Sequence, residues 1–137
     1  MVTLSVWYDR TPRAENGDVT ITVASASELD ELVDRIQAET AQHVAPPMIQ
    51  VAVTGTKRGP MLEVGIGVQK GFIGYTGPDE GGWTAGDGDP AAVADYVYMG
   101  NHTQVPAQAE VPMAMVRRGL HDFLTTGGRC PTVVQRA

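Results

Sequence analysis

From residue 48 to residue 99 one strand-like pattern follows another, with no helical stripe between them. Residues 48–53 (MIQVAV), 61–68 (MLEVGIGV) and 71–75 (GFIGY) are apolar, β-branched runs separated by turn signals. A short WTA segment at 83–85 and an aromatic DYVYM segment at 95–99 continue the series. Parallel neighbours need a crossover of a dozen or more residues, whereas antiparallel neighbours can be joined by a short turn. The short turns between the first three of these strands therefore predict an antiparallel meander there. Gly65 and Gly67, inside its second strand, mark a bulge or a place where another part of the chain comes close.

The flanks complete the pattern. Residues 2–8 alternate, with Val2, Leu4, Val6 and Tyr8 on one face and Thr3, Ser5 and Trp7 on the other. Residues 19–23 (VTITV) form a second strand, expected to pair antiparallel with the first. Ser25 with Glu28, or Ser27 with Asp30, has capping-box spacing, and Leu29, Leu32, Val33 and Ile36 form an i, i+3, i+4, i+7 stripe that predicts a helix ending before Pro46-Pro47. A second helix begins around Glu110-Val111-Pro112, carries Met113, Val116, Leu120, Phe123 and Leu124 inward, and stops at Gly127-Gly128. A last strand is expected within 131–135. The order β-β-α, a block of strands, then α-β is that of an α+β fold: one domain over residues 1–137, a mostly antiparallel sheet, and two helices packed on one face.

Charge narrows the function classes. The net charge of −6 argues against nucleic acid as a direct ligand, because phosphate binding needs a basic face. It suits a basic partner. Cys130 is the single cysteine, so no intrachain disulfide can form and a reducing cytoplasm is expected. The chain has no apolar run of membrane-spanning length, and Met1 leads directly into an alternating pattern with no signal-peptide character.

The segment from Gly71 to Thr103 is the most individual part of the chain. Its middle carries Asp79, Glu80, Asp87 and Asp89, several glycines, and one large aromatic, Trp83. Glycine and aspartate keep it out of a helix. Two readings of Trp83 follow: a plug folded back on the core, or an aromatic anchor rimmed by carboxylates, a form common in protein–protein hot spots. The second makes Asp79, Glu80, Trp83, Asp87 and Asp89 the candidate partner-binding residues, with Tyr75, Asn101 and His102 as further contacts.

Motifs for other chemistry are missing. His43, His102 and His121 lack metal-ligand spacing, and no metal or other cofactor is expected. The zinc-deaminase and Gly-x-Ser-x-Gly signatures do not occur, and Gly65-Ile-Gly67 is not followed by the rest of a dinucleotide fingerprint. Asp87-Gly-Asp89 lacks the remaining ligands of a calcium loop. The alternative function is a small ligand-binding or enzymatic domain using Asn101 and His102 at a strand end with Asp95, which requires a concave pocket around them.

The second half carries a resemblance. Tyr96-Val-Tyr-Met-Gly100, Thr103, Pro106, Glu110-Val-Pro112, Phe123-Leu-Thr-Thr-Gly-Gly128 and Pro131-Thr-Val stand in an order that resembles the first-numbered immunity-protein family of bacterial polymorphic toxin systems. The likeness runs from about Gly71 to Val134. One departure is that the last strand, Val134-Gln135-Arg136, lacks the tryptophan found in many members. The resemblance implies a small cytoplasmic α+β protein without catalytic activity. It would bind a cognate toxin domain one to one, and that toxin is often of the nucleic-acid deaminase type with basic surface around its pocket.

Overall fold

The computed structural model describes residues 2–7, 20–41, 45–56, 59–78, 81–98, 101–128 and 133–135. The meander predicted from the sequence is its centre. Strands β1 (Leu4–Trp7), β2 (Thr20–Val23), β3 (Met48–Val53), β4 (Met61–Ile66), β5 (Lys70–Thr76) and β6 (Gly81–Thr84) are joined by β10 (Val133–Gln135) in one antiparallel sheet. Its order is β10-β6-β5-β4-β3-β1-β2. Two further strands, β7 (Val93–Tyr98) and β8 (Asn101–Pro106), form a separate hairpin. A two-residue strand β9 (Val111–Pro112) pairs with the start of β5.

Helices α1 (Ala26–Thr40) and α2 (Met113–Thr126) lie on the same side of the sheet. Period-2 alternation sends Leu4, Val6, Val51, Leu62, Val64 and Ile73 toward them, and the predicted helix stripes face back. Leu29, Leu32, Val33 and Ile36 of α1 and Met113, Val116, Leu120, Phe123 and Leu124 of α2 are all buried. The α1 capping box forms: the Glu28 amide donates to Ser25 Oγ at 3.1 Å, and Glu28 Oε1 accepts from the Ala24 amide at 3.1 Å. Gly127 takes φ 69°, ψ 17° and ends α2 with its amide donating to the Phe123 carbonyl at 2.7 Å.

A polar seam joins the helices at their outer edge. Arg117 Nη2 donates to Asp34 Oδ1 at 2.6 Å and to Gln37 Oε1 at 3.0 Å, and His121 Nε2 lies 2.9 Å from Asp30 Oδ1. The hydrogen bond with His121, aided by the charges of His121 and Arg117 and opposed by burial, holds the Asp30 carboxyl below its ordinary value. A lowered carboxylate stabilises the fold above the ordinary value of 3.8, and that contribution is lost as pH falls through the lowered one.

The opposite side of the sheet carries a second, smaller core. The β7–β8 hairpin folds over Met48 and Phe72, burying Tyr96, Val105 and Ala109 against them, with Trp83, Ala94 and Tyr98 at the margin. Backbone contact with the main sheet is slight: the Val97 amide donates to the Pro46 carbonyl at 2.9 Å. The aromatic contacts therefore carry the attachment. Phe72 and Tyr96 meet edge to face, with centroids 4.8 Å apart at 75°. Gly65 lies beneath them, where a Cβ would come within 2.5 Å of both rings.

Some expectations are adjusted. Asn101 to Thr103 does not merely end the preceding strand but starts β8, whose exposed polar residues leave Val105 as its only fully buried one. Strand β4 stops at Ile66 because Gly67 turns tightly against the Lys70 carbonyl. Pro112 precedes α2 instead of opening it, and the Met113 amide donates to the Gln69 carbonyl at 3.0 Å in place of a side-chain cap. Cys130 and His43 lie outside the described residues.

The Gly65 contact gives a first prediction. Gly65→Ala should cost about 1–3 kcal/mol through overpacking. It should also raise hydrogen exchange in β7 and β8 more than in β1 or β3. Uniform protection across all four strands would show that the rings yield without loosening the hairpin.

Candidate functional site

Strand β6 runs through the middle of the acidic segment and divides it. Trp83 lies on this strand, directed away from the helices. Its six-membered ring lies over Gly74, where a Cβ would meet it at 3.0 Å, and its centroid is 5.6 Å from that of Phe72. Trp83 is half-buried: one edge belongs to the small core and the rest meets solvent. Neither expectation for it, plug or free anchor, holds alone.

After β6 the chain is fastened, not open. Thr84 Oγ1, fully buried, donates to the Ala109 carbonyl at 2.6 Å and accepts from the Ile73 amide at 3.1 Å. The Gly86 amide donates to the Gln108 carbonyl at 2.6 Å. Gly86 and Gly88 both lie so close to the backbone of residues 107–110 that any side chain would strike a carbonyl. Asp89 closes the following turn, with Oδ1 accepting from the Ala91 amide at 2.9 Å. Packing and turn chemistry thus account for much of the glycine and aspartate in this stretch. Asp87 and Asp89 remain exposed. Asp79 and Glu80, between β5 and β6 in the chain, lie outside the described residues.

The remaining candidate residues are dispersed. Tyr75 is on the helix side of the sheet and only 5% exposed, so it belongs to the main core and drops out of the contact set. Period 2 explains the error: Tyr75 follows Ile73 inward, and only Gly74 between them faces the other way. Asn101 and His102 are exposed at the start of β8. His102 Nε2 is 3.1 Å from Asp95 Oδ1, which also accepts from Gln104 Nε2 at 3.2 Å. With 63% of the His102 side chain and 50% of Asp95 in solvent, this pair lies open to water, unlike the enclosed polar groups of a substrate pocket. A cleft of about 300 Å³ does exist, but between β2 and α1, lined by Ile21, Val23, Glu28, Glu31, Leu32 and Arg35. Among the described residues no His, Cys, Asp and Glu side chains gather in a group able to hold a metal ion.

Strand pairing assembles a row that no local pattern announced. Trp7 of β1 is opposite Gln50 of β3, Gln50 opposite Glu63 of β4, Glu63 opposite Gly74 of β5, and Gly74 opposite Trp83 of β6. All five positions face away from the helices, beside the ground the hairpin covers. Trp7, Gln50, Glu63 and Trp83 are partly exposed. Tyr98, at the end of β7, reaches down to the row and donates its hydroxyl to Gln50 Oε1 at 3.2 Å. The sequence did place Trp7 on the face opposite Val6, but nothing in it joined residue 7 to residue 83.

The fold is that of a small α+β domain with two helices against a mostly antiparallel sheet. The chain belongs to the immunity protein Imm1 family, whose model matches residues 17–136. It is therefore an immunity protein, a class whose members act by binding a cognate toxin protein. No curated protein matches it. Among the described residues no helix is long and apolar enough to cross a membrane.

Tyr96 provides a pH test of how the hairpin is held. Its hydroxyl donates to Glu110 Oε2 at 2.7 Å. Burial, reinforced by that hydrogen bond and by the Glu110 charge, pushes the phenol above its ordinary value of 10.0. A raised phenol stabilises the fold fully below the ordinary value, and the contribution drains away as pH rises through the folded one. Unfolding free energy should fall above about pH 10. Tyr96→Phe should lower stability at neutral pH by about 1.5–3 kcal/mol, the range for a hydrogen bond to a charged group, and flatten the alkaline fall. The same alkaline slope in Tyr96→Phe would assign the fall to other groups.

Proposed function

We propose that this immunity protein neutralises a toxin domain of the nucleic-acid deaminase type, binding it one to one in the cytoplasm and covering its substrate-binding surface. Family membership is the observation that carries this reading. Electrostatics supports the toxin class. An enzyme that takes hold of a nucleic acid must present basic surface to phosphates, and a chain of net charge −6 complements such a surface. The protein acts stoichiometrically, by occlusion and not by chemistry. The ligand-binding or enzymatic alternative built on Asn101 and His102 finds no support in the open setting of the His102–Asp95 pair.

Within this reading the exposed carboxylates Asp87 and Asp89, with Asp79 and Glu80, steer the toxin, Trp83 contacts it, and Asn101 and His102 touch its margin. Rim charges act mainly on the association rate and its salt dependence. Co-expression with the toxin encoded by the neighbouring gene should restore growth and yield a co-purified complex. Asp87→Lys combined with Asp89→Lys should slow association roughly tenfold at low salt and by much less at high salt. Toxicity unrelieved by co-expression would overturn the functional reading. Unchanged association kinetics would remove these two carboxylates from the interface.

A further inference from the structure

The row across the open sheet face has a composition unlike an ordinary solvated strand surface. Both tryptophans of the chain stand on it, at Trp7 and Trp83, and neither is fully buried. Four strand spacings separate them, about 19 Å. Between them lie Gln50, Glu63 and Gly74, giving a low floor with an indole at each end. Tyr98 overhangs one side. Tryptophan and tyrosine are the residues enriched in interface hot spots, and a patch of this breadth suits the centre of a standard-sized interface.

Glu63 gives the row its chemistry. It is half-buried at the middle of the sheet and has no hydrogen-bond or ion-pair partner among the described residues. No Lys or Arg occurs in the row, or in the neighbouring row of Thr22, Ser5, Ala52, Met61, Thr76 and Gly81. A carboxylate so placed, with no cation beside it among the described residues, suits an Arg or Lys side chain brought by a binding partner. The indole of Trp83, which lies over Gly74 directly beside Glu63, suits the same guest, because a guanidinium or ammonium is attracted to an aromatic face.

We infer that this row is the toxin's docking centre: an Arg or Lys side chain of the toxin enters between Trp7 and Trp83 and pairs with Glu63. The inference rests on the functional reading above and locates its anchor. The carboxylates of the acidic segment govern approach, and the row governs how long the complex lasts.

The experiment measures binding of the full chain to the catalytically inactive form of the toxin encoded beside it, with thermal unfolding of each variant as a check on folding. Glu63→Arg and Trp7→Ala should each raise the dissociation rate roughly tenfold or more, with association changed little. Glu63→Gln, which keeps the side-chain shape, should give a smaller rise in the same direction. A toxin Arg or Lys changed to Glu should restore binding to Glu63→Arg. Dissociation within twofold of the unaltered chain for both Glu63→Gln and Trp7→Ala would overturn the inference while leaving the functional reading intact. Failure of the unaltered chain to bind would overturn both. Concentration-dependent dimers of the free protein that Glu63→Arg abolishes would give the row to a second copy of this chain and also overturn it.

Discussion

The contact between the β7–β8 hairpin and the back of the sheet governs the molecule's character. Burial on the helix side is what any α+β domain of this size achieves. On the other side, Tyr96 and Phe72 meet over Gly65, where there is room for no side chain. That contact takes one part of the face out of water and leaves another, with Trp7, Gln50, Glu63 and Trp83, partly open. Glu110 adds an acceptor for the buried phenol, so the aromatic cluster carries no unmet polar group at that hydroxyl. One small hydrophobic core thus decides both where the hairpin sits and where the sheet stays open.

Much of the fold was legible because its signals are local. A capping box, apolar stripes and a left-handed glycine mark the helices within a few residues, and β-branched runs set apart by turn signals mark the meander. Strand β8 was not, because only Val105 of its residues is fully buried and the alternation that marks a strand has little to act on. The function was read from the order of short motifs in the second half, and the family match extends that likeness back to residue 17. Neither observation specifies which toxin is bound.

The site was legible only in part. Aspartate and glycine in the segment after Trp83 look like a designed loop when read alone. In the fold, Gly86 and Gly88 are there so that two backbones can touch, and Asp89 closes a turn. Tyr75 looked like a contact because it borders the acidic stretch, yet alternation turns it inward. The Trp7–Trp83 row depends on strand order across most of the sheet. A single residue of slip in any pairing would send its members to opposite faces, and no short-range pattern encodes that register.

Gly74 has a consequence beyond packing. The tilt of the Trp83 ring is fixed by what lies beneath it, and beneath it is a residue with no side chain, buried in the middle of β5. An alanine there would lift the indole without changing a single exposed atom of its own. Under the docking proposed for Trp83, a toxin and immunity protein that diverge together could retune recognition from below the surface. A map drawn only from exposed positions would miss a residue that sets the tilt of Trp83.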